Sequence, residues 1–539
     1  YPGSIGNILR LGAFHPERTG MKRRWFLVFL FLGISAGSVW ADPGDPSTYE
    51  LSYLFIHGRR QDTLVYDLNG DGRLDILNTS VNFDDQPRTR WLAYHLRDEK
   101  GNLPVRPTHL FPIDDRACVL VLGDYLPGGG VEVGFVAPDG IYVYSFTEKG
   151  IDEKPVKLLH GRTFFNDPSR EDLLIWTYAE DLDSDGKHDL IVPLSDGYKI
   201  YFQTAPGQFS HVVHLESGLA NQADQSLQSE RWSEKSEKVI STFLLHRSLP
   251  KLTVVDINGD GRKDLITIEK DLITYFFQRP IRQYQSNRRN RFRYPIPTLA
   301  GEVEKNKIDL PIITFVDINN DRKADMVVTR VVGKLGMLES LETRVYVHIG
   351  NGRGNFLSDQ AIQVRGVTID PTFADMNMDG KLDCMVSRLR TDLMRQGGQL
   401  LVLGEIRITY EIFQYDGKKG TYEKDPVFEK VVRVNKDDLK EKKAASVPMV
   451  FVSGDLSGDG RPDMVVVESR TNEIKFQYGE VHWSGGEPVI GFESSPFFRK
   501  KLDKFPKRVT VYDANGDGLD DVFLHHSGSV GILESRREK

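Results

Sequence analysis

Residues 65–78 read VYDLNGDGRLDILN. Asp67, Asp71 and Asp75, with Asn69 between the first two, put three carboxylates into nine residues, interrupted by glycines and flanked by apolar runs. Two like charges 4 Å apart repel by about 1 kcal/mol in water, and by more where water is thin. Such a loop needs a counter-charge. The stretch recurs as AEDLDSDGKHDLIV from 179, VVDINGDGRKDLIT from 254, FVDINNDRKADMVV from 315, FADMNMDGKLDCMV from 373, SGDLSGDGRPDMVV from 453 and VYDANGDGLDDVFL from 511. All seven copies follow one pattern, an apolar run, D-x-[DNS]-x-D-G-x-x-D and a second apolar run, with Arg322 replacing the glycine once. An internal repeat of this kind sets the architecture ahead of length or composition.

Asn, Asp and Gly suit any polar turn. A two-residue Asn-Gly turn would suffice for a hairpin, however, and leaves the acids at positions 1, 3, 5 and 9 unexplained. A loop wrapped around a hard cation explains them. Side-chain oxygens come from positions 1, 3 and 5, a backbone carbonyl from position 7 and a closing acid from position 9, while glycine at 6 permits the sharp turn. The EF-hand loop opens with the same logic for calcium, but its bidentate Glu at position 12 has no counterpart here. The flanks, such as LTVVD and DLITI, are too short for helices and read as strands.

The predicted ligands are therefore Asp67, Asn69, Asp71, Arg73 and Asp75 in the first loop and Asp181, Asp183, Asp185, Lys187 and Asp189 in the second. The third holds Asp256, Asn258, Asp260, Arg262 and Asp264, and the fourth Asp317, Asn319, Asp321, Lys323 and Asp325. The fifth holds Asp375, Asn377, Asp379, Lys381 and Asp383, and the sixth Asp455, Ser457, Asp459, Arg461 and Asp463. The seventh holds Asp513, Asn515, Asp517, Leu519 and Asp521. Up to seven Ca2+ ions are expected. The Asp317–Asp325 site should be the weakest, because Arg322 replaces glycine and a side chain raises the cost of a left-handed turn.

Apolar strand, DxNxDG loop and apolar strand, repeated along nearly all of the chain after residue 41, resemble FG-GAP/VCBS repeats. VYVHIGNGRGNF (345–356) is similar to the hairpin that follows the loop in VCBS repeats. Such repeats occur in integrin α-subunit propellers and in many exported bacterial proteins. The resemblance implies an all-β propeller with calcium in loops on one face. It implies no particular ligand, since the repeat serves adhesins, lectins, receptors and a few enzymes.

The loops start at 67, 181, 256, 317, 375, 455 and 513. The first interval, 114 residues, is about twice the 58 to 61 seen in three later ones. Near its middle, VLVLGDYLPGGGVEVGFVAPDGIYVYSF keeps the strands and a Gly-rich turn but lacks the acids, and reads as a metal-free blade. Eight four-stranded blades follow, near 62–112, 117–160, 172–245, 250–305, 311–366, 370–445, 449–503 and 507–539, with seven blades as the alternative. The last blade has room for three strands only, and YELSYLFIHG (49–58) is a spare strand that would complete it. Closing the ring would remove exposed sheet edges.

Residues 21–41, MKRRWFLVFLFLGISAGSVWA, have the charged start, short apolar middle and small-residue end of a secretory signal peptide. Residues 1–20 read as an upstream segment that is not native to the protein, and 42–539 as one propeller domain, expected in the periplasm, on the cell surface or outside the cell. Without residues 1–41 the chain has 65 basic and 76 acidic residues, a net charge of −11. Twenty-two of those acids are the motif aspartates, so the remainder is net +11. Cys118 and Cys384 stand alone in apolar runs, which excludes a disulfide framework and a thiolate metal site.

No HExxH, GxSxG or Walker-type motif is present, and the 13 histidines lack metal-site spacing. No catalytic residue is assigned, although acids from separate blades could converge. The expected function is a secreted, monomeric binding or adhesion module for a protein or an anionic glycan. Nucleic acid is an improbable partner and no membrane span is expected after the signal peptide. A polysaccharide lyase is the alternative that the resemblance leaves open, because some polysaccharide lyases use calcium-loaded eight-bladed propellers. Three stretches are candidate binding surfaces. In RPIRQYQSNRRNRFRYP, Arg279, Arg282, Arg288, Arg289, Arg291 and Arg293 interleave with Tyr284, Phe292 and Tyr294, a composition suited to anionic groups. The insertions near 216–240, polar and partly helical in outlook, and near 388–405 are the others.

Overall fold

The apolar runs on either side of each acidic loop are strands, and the loop is the turn between them. In the first copy Arg59–Tyr66 and Asp75–Asn82 pair antiparallel, and the ladder ends at Tyr66↔Asp75, where the loop begins. The second strand of a copy is buried along most of its length rather than on alternate residues: Glu132–Ala137 and Asp521–His525 are buried at every position. This is the signature of a strand covered on both faces, and it explains the unbroken Val/Ile/Leu runs.

The computed structural model describes residues 48–536 apart from 148–149, 166–167, 170, 195, 217–219, 234–235, 249, 270–271, 286–290, 295–306, 335–341, 367–370, 391–392, 397–398, 403–405, 435–448, 453 and 485. The upstream segment and signal peptide expected in residues 1–41 lie outside these. Among the described residues there is no helix, and hence none long and apolar enough to cross a membrane.

Eight antiparallel sheets follow one another along the chain, each built on four strands. They lie at 59–112, 119–160, 179–216, 251–285, 307–365, 372–434, 449–501 and 508–536, the last joined by Thr48–Leu54. The metal-free unit at 119–160 is a sheet of its own, with a short parallel strand, Leu174–Ile175, added at its edge, so the seven-blade alternative is set aside. Eight apolar clusters hold the sheets together, each shared by two consecutive blades. The cluster of Leu54, Ile76, Phe523, Val530 and Ile532 joins the eighth blade to the first, so the sheets form a ring. Cys118 and Cys384 are buried thiols outside any disulfide, Cys384 packed between blades 5 and 6.

Thr48–Leu54 pairs antiparallel with Val530–Arg536, from Thr48↔Arg536 to Leu54↔Val530. Tyr49 is buried there, and its hydroxyl donates to the Leu456 carbonyl at 2.6 Å and the Asp520 carbonyl at 3.1 Å.

Strand direction alternates within a blade, so the connections from first to second and from third to fourth strand share one face of the ring, and all others lie on the opposite face. The acidic loops are on the first face. The insertion near 216–240 is not helical: Ala220–Ser233 and Ser236–Ser248 form a long two-stranded hairpin. The β-branched and aromatic run VISTFLL in its second half supplies a ladder with which the polar half pairs, and context overrides the polar composition. The insertion near 388–405 carries a smaller hairpin, Leu393–Gln396 with Gln399–Val402. Both hairpins arise from the face opposite the acidic loops.

Candidate metal centres

All seven acidic loops share one hydrogen-bond scheme. The position-1 aspartate accepts the position-6 backbone N–H: Gly72 to Asp67, Gly186 to Asp181, Gly261 to Asp256, Arg322 to Asp317, Gly380 to Asp375, Gly460 to Asp455 and Gly518 to Asp513, at 2.7–3.0 Å. The position-5 carboxylate accepts the position-7 N–H, from Arg73 on Asp71 to Leu519 on Asp517. At position 3 the side-chain oxygens of Asn69, Asn258, Asn319, Asn377 and Asn515 accept the position-5 N–H. Ser457 instead donates to Asp455 at 3.4 Å, and Asp183 pairs with an arginine.

Residues at positions 4 and 6 are left-handed in every loop. Gly70 and Gly72 have φ of 78° and 84°, and Ser184, Asn320, Met378 and Arg322 adopt 63°, 60°, 63° and 69° without the freedom of glycine. The need at position 4 is a feature that sequence reasoning missed, although glycine stands there in four of the seven copies. A second missed feature is position 2. Leu68, Leu182, Ile257, Ile318, Met376, Leu456 and Ala514 are buried and pin each loop to the interblade core.

Position 9 does more than the sequence suggested. Asp75, Asp189, Asp264, Asp325, Asp383, Asp463 and Asp521 are all buried. In each, Oδ2 accepts the position-2 N–H, as Asp264 does from Ile257 at 3.0 Å. Oδ1 accepts a backbone N–H at the end of the third strand: Arg97, Gln203, Gln278, Gly350, Tyr415, Gly479 and Ser535 in turn. The residue is thus a staple between loop and sheet. Burial pushes these carboxyls upward, Asp264 to about 7 and Asp189 to about 8, against the pull of the two N–H groups. Glu132 in the metal-free blade performs the same task, its Oε2 accepting from Tyr125 at 2.7 Å and Leu126 at 3.3 Å.

The long side chains at position 7 bend back onto position 5. Arg73, Lys187, Arg262, Lys323, Lys381 and Arg461 pair with Asp71, Asp185, Asp260, Asp321, Asp379 and Asp459. Leu519 cannot, and Ser535 Oγ donates to Asp517 at 2.9 Å instead. Neighbouring loops also touch through the backbone. Val131, Lys263, Ala324, Leu382 and Asp520 donate to the carbonyls of Asp67, Leu182, Asp256, Ile318 and Asp455 on the preceding loop. In the seventh blade that position is Pro462, which has no N–H.

The donor set fits a hard cation. Every side-chain donor is oxygen, and a carboxylate that holds two N–H groups keeps lone pairs for a metal. In the second loop, Asp181, Asp183 and Asp189 each place an oxygen within 4.8 Å of the others. Asp183 Oδ1 and Asp375 Oδ1 are buried with no hydrogen-bond partner, an arrangement compatible with a cation ligand.

A family model described as FG-GAP-like repeat matches residues 317–386, from the acidic loop of the fifth blade into the sixth. The chain is an eight-bladed β-propeller with an FG-GAP-like repeat. No curated protein matches this propeller significantly over its sequence.

The arginine–aromatic stretch does not form one surface on the propeller. Tyr284 stacks on Phe202 and donates to the Lys263 carbonyl, Phe292 packs against Tyr275 and Phe356, and Tyr294 meets His348 edge-on. Strand alternation turns these rings inward while Arg279, Arg291 and Arg293 stay exposed. Arg282 is committed to the second loop, and Arg288 and Arg289 lie outside the described residues. On the loop face, the hairpin Gly479–Ser484 with Glu487–Phe492 carries Trp483, 75% exposed, and its Pro488 carbonyl accepts from Asn377 in the neighbouring loop.

Proposed function

We propose that this propeller is an exported, calcium-stabilised binding or adhesion module whose acidic loops hold up to seven Ca2+ ions and present a recognition face for a protein or an anionic glycan. The observation that carries it is the repeated oxygen-only loop, seven times on one face with one hydrogen-bond scheme. Asp67, Asn69, Asp71 and Asp75, with the carbonyl of Arg73, would hold the ion in the first blade, and the matching residues would do so in the other six. The bound ion would cancel the mutual repulsion of the loop acids. Fourteen positive charges from seven ions would take the chain without residues 1–41 from −11 to about +3 on formal counting, which suits an acidic partner. Trp483 on the same face supports recognition, since exposed aromatics are common anchors.

Calorimetric titration of the chelated protein with calcium tests the metal, with uptake of several equivalents expected near the ~10⁻⁴ to 10⁻³ M range of extracellular modules. Absence of uptake, together with a melting curve that chelator leaves unmoved, would reject it. A glycan array read with and without calcium tests the partner, and calcium-independent or absent binding would remove the acidic-glycan reading.

A further inference from the structure

The second loop differs from the other six in the chemistry of position 3. Position 3 is an aspartate, Asp183, where the others carry Asn or Ser. At positions 1, 3, 5 and 9 its loop therefore holds four carboxylates, at 181, 183, 185 and 189, against three at those positions elsewhere. The neighbouring blade answers this extra charge. Arg282 reaches over from the turn after Leu272–Arg279, and its Nε donates to Asp183 Oδ2 at 2.5 Å while Nη2 donates to Asp185 Oδ2 at 2.9 Å.

The turn is shaped for this contact. Ile281 and Arg282 are both left-handed, with φ of 70° and 59°, conformations that a non-glycine residue adopts only when its surroundings impose them. The Arg282 carbonyl contacts His211 Nε2 at 2.8 Å, and its guanidinium lies 5.8 Å from the Phe202 ring centroid, both residues belonging to the third blade. The guanidinium is only 25% exposed. Arg73, Arg262 and the other position-7 side chains pair within their own loops; Arg282 crosses between blades. Meanwhile Asp183 Oδ1, the oxygen that the arginine leaves alone, is buried without a partner, and Asp183 is one of the three acids whose oxygens converge.

We propose that Arg282 is a tethered cation built into the third-blade centre. It offsets the extra carboxylate and sets that centre's affinity for a divalent ion below what four acids alone would give. Ion binding through Asp183 and docking of the 280–283 turn then oppose each other, so occupancy of this one centre controls how firmly the turn sits on the loop face. The inference rests on the calcium reading above and assigns a role to a residue outside the repeat.

The test compares the full chain with Arg282→Gln, Arg282→Lys and Asp183→Asn by calcium calorimetry after chelation. A unit charge beside a divalent ion at the distance of the second carboxylate oxygen weakens binding by about tenfold even in high dielectric. Arg282→Gln should therefore tighten one equivalent about tenfold and leave the rest in place. Arg282→Lys, which keeps the charge, should behave as the parent, and Asp183→Asn should weaken that equivalent. In chelator, Arg282→Gln should melt below the parent because the latch is gone, and the gap should narrow in calcium. An isotherm unmoved or weakened by Arg282→Gln, or a melting gap that widens in calcium, overturns the proposal while leaving the calcium centres intact. Absence of calcium uptake by the parent overturns both, and is distinguished by a flat isotherm in every variant.

Discussion

Position 9 offers a clean separation between a structural acid and a metal ligand. In Asp264, Oδ1 holds the Gln278 N–H at 2.8 Å and Oδ2 holds the Ile257 N–H at 3.0 Å. Asp264→Asn keeps one acceptor and turns an NH2 toward the other N–H. That loses one charge-assisted bond, ordinarily worth about 1.5–3 kcal/mol, and leaves a buried donor unmet at about 1–3 kcal/mol. Part returns, because burial pushes the carboxyl up to about 7 and the neutral amide is cheaper to bury above that pH. A net loss of about 2 kcal/mol is expected in chelator at pH 8, read as a lower urea midpoint with unchanged slope. If the same carboxylate also ligates calcium, the gain on adding 1 mM calcium should shrink further. One site with a dissociation constant near 10⁻⁴ M contributes about 1.4 kcal/mol. Glu132→Gln is the control. One oxygen of Glu132 takes both N–H groups, so a glutamine oxygen can replace it at a cost under about 1 kcal/mol, with the calcium gain untouched. Full stability of Asp264→Asn in chelator would refute the staple.

The pH dependence in chelator has a definite sign. The carboxyls of Asp75, Asp264, Asp383, Asp463 and Asp521 are raised by burial to about 6–7, above their unfolded value. They oppose folding above that range and cease to do so as pH falls through it toward 4, so the metal-free protein should melt higher at pH 5.5 than at pH 8, and calcium should reverse the order. Arg322→Gly should stabilise the protein by about 0.5–1 kcal/mol, since a left-handed side chain costs about 1–2 kcal/mol and glycine's extra freedom returns about half. The reverse change, Gly72→Ala, meets no atom within 4 Å and should lose a similar amount to backbone strain alone; calorimetric melts that fail to move in opposite directions would count against this. Tyr49→Phe should cost about 1 kcal/mol by removing the hydroxyl's bond to the Leu456 carbonyl, and removing residues 48–54 should uncover Val530, Ile532 and Leu533 and produce oligomers visible in light scattering; a monomer with parental melting would reject the role of that strand.

The repeat was legible because the acidic loop is a local device: spacing, charge and turn residues sit within nine positions. The blade count was legible because the double-length first interval holds a stretch that keeps the strands and a Gly-rich turn even where the loop acids are gone. What could not be read were the contacts made across blades. Arg282 lies 99 residues from Asp183, and nothing in its own stretch distinguishes it from the other arginines. The same stretch suggested a mixed arginine and aromatic surface, because composition does not record that alternation turns the rings inward. The polar hairpin after residue 219 was misjudged for a related reason: its first half takes its strand state from the half it pairs with. Position 9 was read by chemistry alone as a ligand, since one of its two backbone partners comes from a strand up to 32 residues away.

The seam of the ring also fixes how the molecule bears load. Thr48 lies opposite Arg536, so the two strands that meet there expose their outer ends side by side at one end of the ladder. Tension applied between those two ends would pull the ladder open one rung at a time, like a zipper. Both ends lie on the acidic-loop face, where Asp521 and Asp517 of the last loop hold Ser535. A load carried between the first strand and that face therefore bears on the seam itself, and traction on both ends together would open the ring at the last blade.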